Sequence, residues 1–465
     1  MLFRFSLYGF LKNQRYFEPF FMLALLSQGL SFFMIGVLYA FRSLVINLLE
    51  IPSGALADGY GRRVTMIVSL VSYICSFAVF GLAPNTAFLF LAMLLYGVGD
   101  AFRTGTHKSM IFEWLKLRGE EEDRTRVYGA TRSWSKFGSA LSAILAAILV
   151  VVTDDYQIVF LLATIPYICN LVNLIGYPAE LDGLVYRESL YGAVASIGER
   201  MRSSIKYAWR KPQLKNLLGE SMAWEGVFAA IKDYLQPAMM LMLTASIIGV
   251  AAAESPDAAE VKTTGISSAA AISVGVVYTL LFLASGFASR YADSIVKWQG
   301  STRLASKFLW TVNLGLFGAL LLFDLVGVQF LVVAVFVFLA ILQNFWRPIL
   351  IGRIDKQTQS GRGATILSLE SQAQRLTTLV VGPIAGLLVD FARRDGVPGN
   401  FWPLALIGGI AAGTVFYLQY IRRSDEPIEP NEEPESAKRE GKTKSSRRKT
   451  KPGRSSSDDA QESIT

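Results

Sequence analysis

Apolar blocks of about 20 residues recur along most of this 465-residue chain, and they limit its fold more than any other feature. A helix needs about 20 apolar residues to cross the hydrocarbon layer of a bilayer. Because lipid offers no hydrogen-bond partners, a crossing segment must pair its own backbone groups, which a helix does. With 52% hydrophobic residues, the chain is also more apolar than most soluble proteins. The sequence therefore predicts an all-α polytopic membrane protein.

We predict about twelve membrane-spanning helices from these blocks. The predicted spans are 13–30, 34–57, 64–82, 87–110, 127–152, 157–178, 213–245, 268–290, 305–325, 329–350, 365–390 and 401–421. The longest internal polar connection separates the first six spans from the last six. We therefore expect a six-helix N-half at 1–178, a cytoplasmic linker at 179–212, a six-helix C-half at 213–421 and a charged tail at 422–465.

The linker and the tail differ in composition. Residues 189–211, SLYGAVASIGERMRSSIKYAWRK, have the pattern of an amphipathic helix lying on the membrane surface. Residues 422–465 are rich in charge, proline and serine and have few apolar residues, which is typical of a disordered segment.

Positive charge indicates which ends of the spans face the cytoplasm. Basic residues are concentrated in the N-terminal segment and in the turns after even-numbered spans, whereas the opposite turns carry Lys262, Arg393 and Arg394. Lys and Arg accumulate in cytoplasmic loops. We therefore expect a multi-pass protein of the cell inner (plasma) membrane with both termini in the cytoplasm. The net charge of +8 follows from this topology, so no nucleic-acid partner is needed to explain it.

The cysteine and histidine content argues against metal and disulfide chemistry. Cys75 and Cys169 lie far apart inside apolar blocks, and His107 is the one histidine of the chain. These residues do not have metal-ligand spacing. The spans also lack a nucleophile-elbow sequence with a Ser-His-Asp set. We therefore expect no metal, no cofactor and no catalytic residues, and we expect a protein that is not an enzyme.

The segment GALADGYGRR, residues 54–63, has two possible interpretations. It is either a glycine-rich phosphate-binding loop or a tight turn between spans 2 and 3. A phosphate-binding loop of the P-loop type follows a strand and ends in Lys followed by Ser or Thr. No strand is predicted before residue 54 and that ending is absent, so the sequence favours the turn.

Five residues of this segment match a known signature: Gly54, Asp58, Gly61, Arg62 and Arg63. The segment resembles the turn between the second and third helices of the major facilitator superfamily. Gly59 departs from the pattern, since the family usually has Arg or Lys there. The segment GFASRYADSIVK, residues 286–297, follows span 8 and is similar to the degenerate copy in the family's second half. The resemblance covers about residues 10–421 and implies two pseudo-symmetric six-helix bundles around a central cavity.

The resemblance also implies a gating role for the signature, which would latch the cytoplasmic side. Gly54 removes a side chain where helices approach, and Gly59 and Gly61 permit a sharp reversal. Asp58 can accept hydrogen bonds at a neighbouring helix N-terminus. By position, the partner is the start of span 11, near 363–365. Alternatively, the turn only fixes the topology.

Charged residues inside the predicted spans are the candidates for the substrate or proton pathway. A charge in the bilayer centre costs at least about 2.5 kcal/mol, so it should face a cavity or a partner. The candidates are Arg42, Glu50, Asp100, Arg103, His107, Arg132, Glu225, Glu370 and Arg375. Structural ion pairs are the alternative for the deeper ones, and charges near span ends, such as Lys136 and Glu220, are expected to extend to the interface.

Helical spacing predicts which candidates share a face. Arg42 and Glu50 are eight residues apart in span 2, and Asp100, Arg103 and His107 are three and four apart in span 4. Both sets are therefore predicted to face inward. Basic residues outnumber acids in the N-half spans, which favours an anionic or zwitterionic substrate. Pro237 is predicted to kink span 7.

Together these features predict a monomeric secondary active transporter. It would move a small solute across the bilayer by alternating access, coupled to protons as a symporter or antiporter. A multidrug/proton efflux antiporter is one alternative, although span 5 lacks a Gly/Pro-rich antiporter signature. A non-transporting membrane sensor or scaffold that signals through the tail is another.

Overall fold

The computed structural model of the chain is built from long helices, as expected of apolar blocks that must satisfy their own backbone in lipid. It describes residues 1–182, 190–243, 268–358, 363–394 and 401–421, and within these it leaves out the side chains of Asp58, Thr125, residues 190–197, Arg200 and Ala364. No strand occurs in these described ranges. The tail at 422–465, which we predict to be disordered, lies outside them.

The first half of the described chain contains eight helices. They are α1 (Leu2–Leu11), α2 (Glu18–Ser27, with a 3-10 first turn), α3 (Phe32–Tyr60), α4 (Arg62–Leu82), α5 (Thr86–Arg103), α6 (Thr106–Leu117), α7 (Arg124–Thr153) and α8 (Ile158–Ile175). Polar caps fix several starts. Ser31 accepts a hydrogen bond from the amide of Met34 at α3, and Asn85 accepts from the amides of Ala87 and Phe88 at α5.

Ten helices follow. They are α9 (Leu190–Arg210), α10 (Pro212–Ser221), α11 (Val227–Ile231), α12 (235–243), α13 (Ser268–Arg290), α14 (Ala292–Gln299), α15 (Thr302–Val326), α16 (Gln329–Gln357), α17 (Gly363–Ala392) and α18 (Trp402–Phe416). Ten helical segments of the described chain are long and apolar enough to cross a membrane. Each matches one of the twelve predicted spans. The other two, spans 1 and 7, contain interrupted helices.

Span 1 begins earlier than predicted and is discontinuous. Instead of one helix over 13–30, α1 and α2 flank a non-helical segment at 12–17. Asn13 donates to the carbonyl of Ser135 at 2.8 Å, and Gln14 donates to the carbonyl of Gly138 at 3.0 Å. Both carbonyls lie near the middle of α7, so the interruption lies at mid-height. The interruption frees the carbonyl of Lys12, which accepts a hydrogen bond from the Tyr167 hydroxyl at 2.6 Å.

Span 7 is interrupted twice. After α10 the chain forms a π turn at Met222–Gly226, and after α11 it forms a 3-10 turn at Lys232–Tyr234. Pro237 lies four residues after Asp233. Its ring and its missing N–H therefore disturb the helix at Asp233. The predicted distortion at Pro237 is therefore present. The π turn was not predicted, and it places Glu225 and Trp224 inside the protein.

Span 4 is divided at Gly105, whose φ of 79° ends one helix and begins the next. The helical spacing of Asp100, Arg103 and His107 was therefore a wrong basis for placing all three on one face. Asp100 and Arg103 share α5, whereas His107 lies in α6.

The N-half and the C-half contact each other most extensively through α3 and α17. Helix α9, predicted as the amphipathic helix of the linker, packs against both. Met201, Ser204 and Ala208 form its buried face, while Trp209 is exposed. Residues 1–421 form one compact unit, and the exact division at 178 and 213 stays a prediction.

Candidate functional site

A basic cavity of about 380 Å³ lies in the N-half between α1, α6 and α7. Six of its lining side chains are basic or imidazole: Lys12, Arg103, His107, Lys108, Arg132 and Lys136. None of the lining residues in the described chain is acidic. The interruptions at 12–17 and at Gly105 both border it. Of the N-half candidates, Arg103, His107 and Arg132 line this cavity, whereas Arg42, Glu50 and Asp100 do not.

The neighbouring Asp100 organises the arginines beside the cavity. It is buried, and it accepts hydrogen bonds from Tyr73 at 2.5 Å and from the Nε of Arg42 at 3.0 Å. Arg103 approaches the same carboxylate at 3.4 Å and donates to the Tyr73 hydroxyl at 2.9 Å. One carboxylate therefore serves two guanidinium groups, and the local charge remains positive.

Arg15 adds a further cation to this region. Its Nε donates to the hydroxyl of Tyr167 at 2.9 Å, and its guanidinium lies 5.6 Å and 5.7 Å from the ring centres of Tyr73 and Tyr96. We predicted Arg15 and Lys12 as part of the cytoplasmic N-terminal charge. Their position at the helix interruption was missed. The polar run Lys-Asn-Gln-Arg between apolar blocks was the available signal.

His107 lies against aromatic rings at the edge of the cavity. Its ring stacks on Tyr8 at a centroid distance of 3.8 Å, and its Nε2 is 3.4 Å from the Tyr177 hydroxyl. Phe5 packs edge-on against it at 5.7 Å. His107 is thus held in place by packing, and it faces the same cavity as Arg103.

Two buried glutamates in the C-half share Arg347. Glu370 is fully buried and forms a bidentate pair with Arg347 at 2.5 Å and 3.0 Å. It also accepts hydrogen bonds from Ser221 and Gln374. Arg347 also lies 4.0 Å from Glu225, and Glu225 is part of the π turn of span 7. Both glutamates are among the residues predicted from the sequence, whereas Arg347, which lies inside the apolar span 329–350, is not.

Glu225 is the less completely paired of these two carboxylates. Its Oε2 accepts from the side chain of Gln343 at 2.7 Å, whereas its buried Oε1 has no hydrogen-bond partner. A buried polar atom without a partner is uncommon, and it often marks a functional or protonated group.

A second buried pair in the C-half is structural. Arg353 binds both oxygens of Glu220 at 2.7 Å and 3.0 Å, and Glu220 is 1% exposed. The prediction that Glu220 extends to the membrane interface is therefore wrong. Glu220 packs beside Trp310. Trp310, Trp224 and Trp346 are buried and contact one another. The π turn and the helix packing carry Glu220 inward.

Two of the remaining candidates connect the halves. Glu50 of α3 and Arg375 of α17 form an ion pair at 2.5 Å, and Ser368 donates to Glu50 at 2.7 Å. Asn47 accepts from Arg375 at 3.0 Å. Glu50 and Arg42 were predicted to share one inward face, but they contact different helices. Eight residues amount to about 80° of rotation beyond two turns, which is enough to separate them.

The opposite end of the same helix pair is closed by small residues and a cap. A Cβ built on Gly36 would lie 2.4 Å from the carbonyl oxygen of Gly382, and one on Gly386 would lie 2.2 Å from that of Phe32. Asp390 accepts hydrogen bonds from the amides of Phe32 and Phe33 at 3.0 Å and 2.8 Å. The α3–α17 contact therefore extends over the length of both helices.

The signature segment forms one sharp turn, at Gly61 with φ 98°. Gly59 lies within α3, so the expectation that it contributes to the reversal is wrong. Arg62 contacts Glu113 at 3.3 Å, and the Arg63 side chain donates to the Tyr177 carbonyl at 2.8 Å. The amide of Arg63 donates to Asp182 at 2.6 Å.

Asp182, from the segment after α8, thus caps the start of α4, and the capping role of Asp58 at the start of span 11 stays a prediction. The side chain of Asp58 lies outside the described part of the chain. Residues 359–362, next to its predicted partner, also lie outside it. Gly54 is within α3, and its predicted close helix contact remains a prediction.

Ten helical segments long and apolar enough to cross a membrane, together with buried ion pairs, define a multi-pass helical membrane protein with a polar interior. Among the described residues, no group of three or more His, Cys, Asp or Glu side chains is placed to hold a metal. The chain belongs to the Major Facilitator Superfamily, whose family model matches residues 13–369.

Curated relatives match a short part of the chain. The "Uncharacterized MFS-type transporter YxaM" of Bacillus subtilis (strain 168) is 31% identical over 108 residues, which is 23% of this chain and 26% of that protein. The "Probable vesicular acetylcholine transporter-A" of Danio rerio is 31% identical over 105 residues, 23% of this chain and 20% of that protein. The chain thus spans about a quarter or less of the length of these relatives.

Solved structures match over nearly the whole chain at low identity. The nucleoside transporter NupG has a TM-score of 0.65 and 10% identity, with 90% of this chain and 97% of that chain covered. A D-xylose-proton symporter has a TM-score of 0.57 and 14% identity, with 89% and 96% covered. These similarities show the major facilitator fold.

Proposed function

We propose that the protein is a secondary transporter that moves a small anionic or zwitterionic solute by alternating access, coupled to protons. The observation that carries this proposal is the basic cavity of the N-half, whose described lining contains no acid. Guanidinium and ammonium groups favour carboxylate or phosphate ligands.

The same cavity argues against a cationic substrate. A multidrug/proton antiporter for cations would need an acidic or aromatic site, and like charges repel strongly inside a protein. The resemblance to the acetylcholine transporters covers 23% of this chain, so their cationic substrate is not proposed for it.

Proton coupling is assigned to the pair of glutamates around Arg347. Two carboxylates share one guanidinium, and Glu225 has an oxygen without a hydrogen-bond partner. Protonation of Glu225 would remove a buried charge that Arg347 neutralises only in part. Binding and release of a proton at Glu225 would therefore change which packing of α11, α16 and α17 is favoured.

Alternating access requires the two ends of the α3–α17 interface to open in turn. The Glu50–Arg375 pair holds the end near the signature, which by the positive-inside pattern faces the cytoplasm together with both termini. The glycine contacts and Asp390 hold the opposite end. Opening of one end would break the Glu50–Arg375 pair and keep the glycine and Asp390 contacts, and opening of the opposite end would do the reverse.

The transport proposal is tested with the full chain reconstituted in proteoliposomes. Uptake of a panel of labelled anionic, zwitterionic and cationic solutes is measured with and without an inward pH gradient, and with a protonophore. We expect anion uptake that rises with the gradient and falls with the protonophore. Uptake of cations alone, or no response to any solute or proton gradient, would exclude the proposal.

Two variants separate transport from the alternative of a sensor that signals through the tail. Deletion of 422–465 should leave uptake largely unchanged, whereas Asp58→Asn should leave the protein folded but strongly reduce turnover. Arg126→Gln is the matched control, since Arg126 is exposed and pairs with Asp123. Wild-type turnover in Asp58→Asn would remove the gating role from the signature.

A further inference from the structure

We propose that the basic cavity is a phosphate site, and that the transported solute is a small organic phosphate whose phosphate group lies between Arg132, Lys136 and the first turn of α6. This inference rests on the proposed transport function and specifies its substrate class.

The charge balance of the cavity calls for a ligand with more than one negative charge. Among the described residues, Lys12, Arg132 and Lys136 form no ion pair. The nearby carboxylate of Asp100 is already engaged by Arg42, Arg103 and Tyr73. Cations that share a cavity repel each other, and a monocarboxylate would neutralise only one of them. A phosphate monoester carries about two charges at neutral pH.

The backbone amides at the start of α6 also favour an anionic ligand. Helix α6 begins at Gly105, which has no capping side chain, and Gly105, His107 and Lys108 all line the cavity. The first amides of a helix lack internal acceptors, and the helix dipole favours an anion there. Phosphate groups commonly bind at such helix N-termini. The amides and the cations therefore meet at one place.

The remaining lining suits a hydroxylated organic group. The polar residues Asn13, Ser135 and Ser139 and the tyrosines Tyr8 and Tyr128 line the rest of the space. A volume of about 380 Å³ is near the lower end for small-molecule sites, which run from about 300 to 1,000 Å³. It accommodates a pentose phosphate more readily than a nucleotide.

Binding is measured on the purified full chain in nanodiscs of zwitterionic lipid, by calorimetry. The probes are ribose 5-phosphate, ribose, inorganic phosphate and succinate. We expect ribose 5-phosphate to bind, inorganic phosphate to bind more weakly, and ribose and succinate to bind negligibly. Arg132→Gln and Lys136→Gln should each weaken ribose 5-phosphate binding about tenfold or more, the size of a lost charge-assisted hydrogen bond.

Arg126→Gln removes a charge from the same helix outside the cavity and should leave affinity unchanged. Arg132→Lys should restore part of the affinity. Melting curves establish that each variant is folded. Wild-type affinity for ribose 5-phosphate in both Arg132→Gln and Lys136→Gln, or tighter binding of succinate than of ribose 5-phosphate, would overturn the phosphate site.

A lipid headgroup is the other source of phosphate, and nanodiscs that contain phosphatidic acid distinguish it. If the solute occupies the cavity, added phosphatidic acid leaves ribose 5-phosphate affinity within about twofold, as expected for separate sites. Displacement of the solute by phosphatidic acid, with no uptake of ribose 5-phosphate into proteoliposomes, overturns the solute assignment. Proton-dependent uptake of a non-phosphorylated anion would refute this inference while leaving the proposed transport function intact.

Discussion

Glu50 and Arg375 join α3 to α17 across the two halves of the protein with an N–O distance of 2.5 Å. Both side chains are largely shielded from solvent, with exposed fractions of 12% and 19%. The pair lies between helices from opposite ends of the sequence, and it is supported by Asn47 and Ser368. It is therefore a contact that must break if the halves separate at this end.

Removal of one partner of this pair should favour separation of the halves near the signature. Arg375→Gln leaves Glu50 without its cation, which costs about 3–5 kcal/mol where the arrangement keeps it buried. We expect a cysteine introduced at Asn47 to react faster with a water-soluble maleimide in Arg375→Gln than in the parent. The charge exchange Glu50→Arg with Arg375→Glu should restore slow labelling. Equal labelling rates in all variants would show that the pair does not hold this end.

A side chain added at Gly386 should open the opposite end. Its Cβ would lie 2.2 Å from the carbonyl oxygen of Phe32, a backbone atom that cannot rotate away. Gly386→Ala should lower the free energy of unfolding by about 1–3 kcal/mol, as overpacking does, and reduce transport. Gly413→Ala is the matched control, since the nearest atom to its Cβ is a leucine methyl at 3.9 Å. A melting temperature equal to that of the control would contradict the close contact.

Replacement of the carboxyl group of Glu225 should uncouple transport from protons. Glu225→Gln keeps the size of the side chain and its position beside Gln343, but it cannot release a proton. We expect the pH gradient to lose its effect on accumulation while exchange of labelled for unlabelled solute persists. Asp293→Asn serves as control, because Asp293 is exposed and pairs with Lys297. Gradient-driven accumulation in Glu225→Gln would assign the proton to another group.

The Glu220–Arg353 pair should contribute to stability. Arg353→Met leaves Glu220 buried beside Trp310 without a cation, so we expect a loss of about 3–5 kcal/mol in the free energy of unfolding. The double variant Glu220→Leu with Arg353→Met should recover much of it. Lys297→Met, at an exposed pair, should leave the melting temperature unchanged. Thermal unfolding in detergent provides the measurement, and an unchanged Arg353→Met would show that the buried pair is dispensable.

The sequence predicted the ten membrane-crossing segments that the structure describes. This was possible because the length and hydropathy of a span depend on the bilayer, which is the same along the whole chain. The signature at 54–63 likewise indicated the family, and the family model confirms it. The excess of basic residues in the N-half is also apparent from the sequence, whereas the cavity that several of them line is apparent only from the structure.

The interruptions were not predictable in the same way. At 12–17 the Tyr167 hydroxyl donates to the carbonyl of Lys12, and at Met222–Gly226 the Thr378 hydroxyl donates to the carbonyl of Gly226, so the partners of both backbones are distant in sequence. Glu220 was predicted at the interface for the same reason. Its partner Arg353 lies 133 residues further on, and spacing within one helix carries no information about it.

By itself, the sequence determined that the chain crosses a membrane as helices, where ten of its spans lie and which family it resembles, because each of these depends on local composition and short motifs. Only the tertiary structure decided which charges are partners. Glu50 meets Arg375, Glu220 meets Arg353, and the cations of the cavity meet one another without an acid in its described lining. The physical reason is that an unpaired charge is costly in a low-dielectric interior, while the packing of helices far apart in sequence selects the partner.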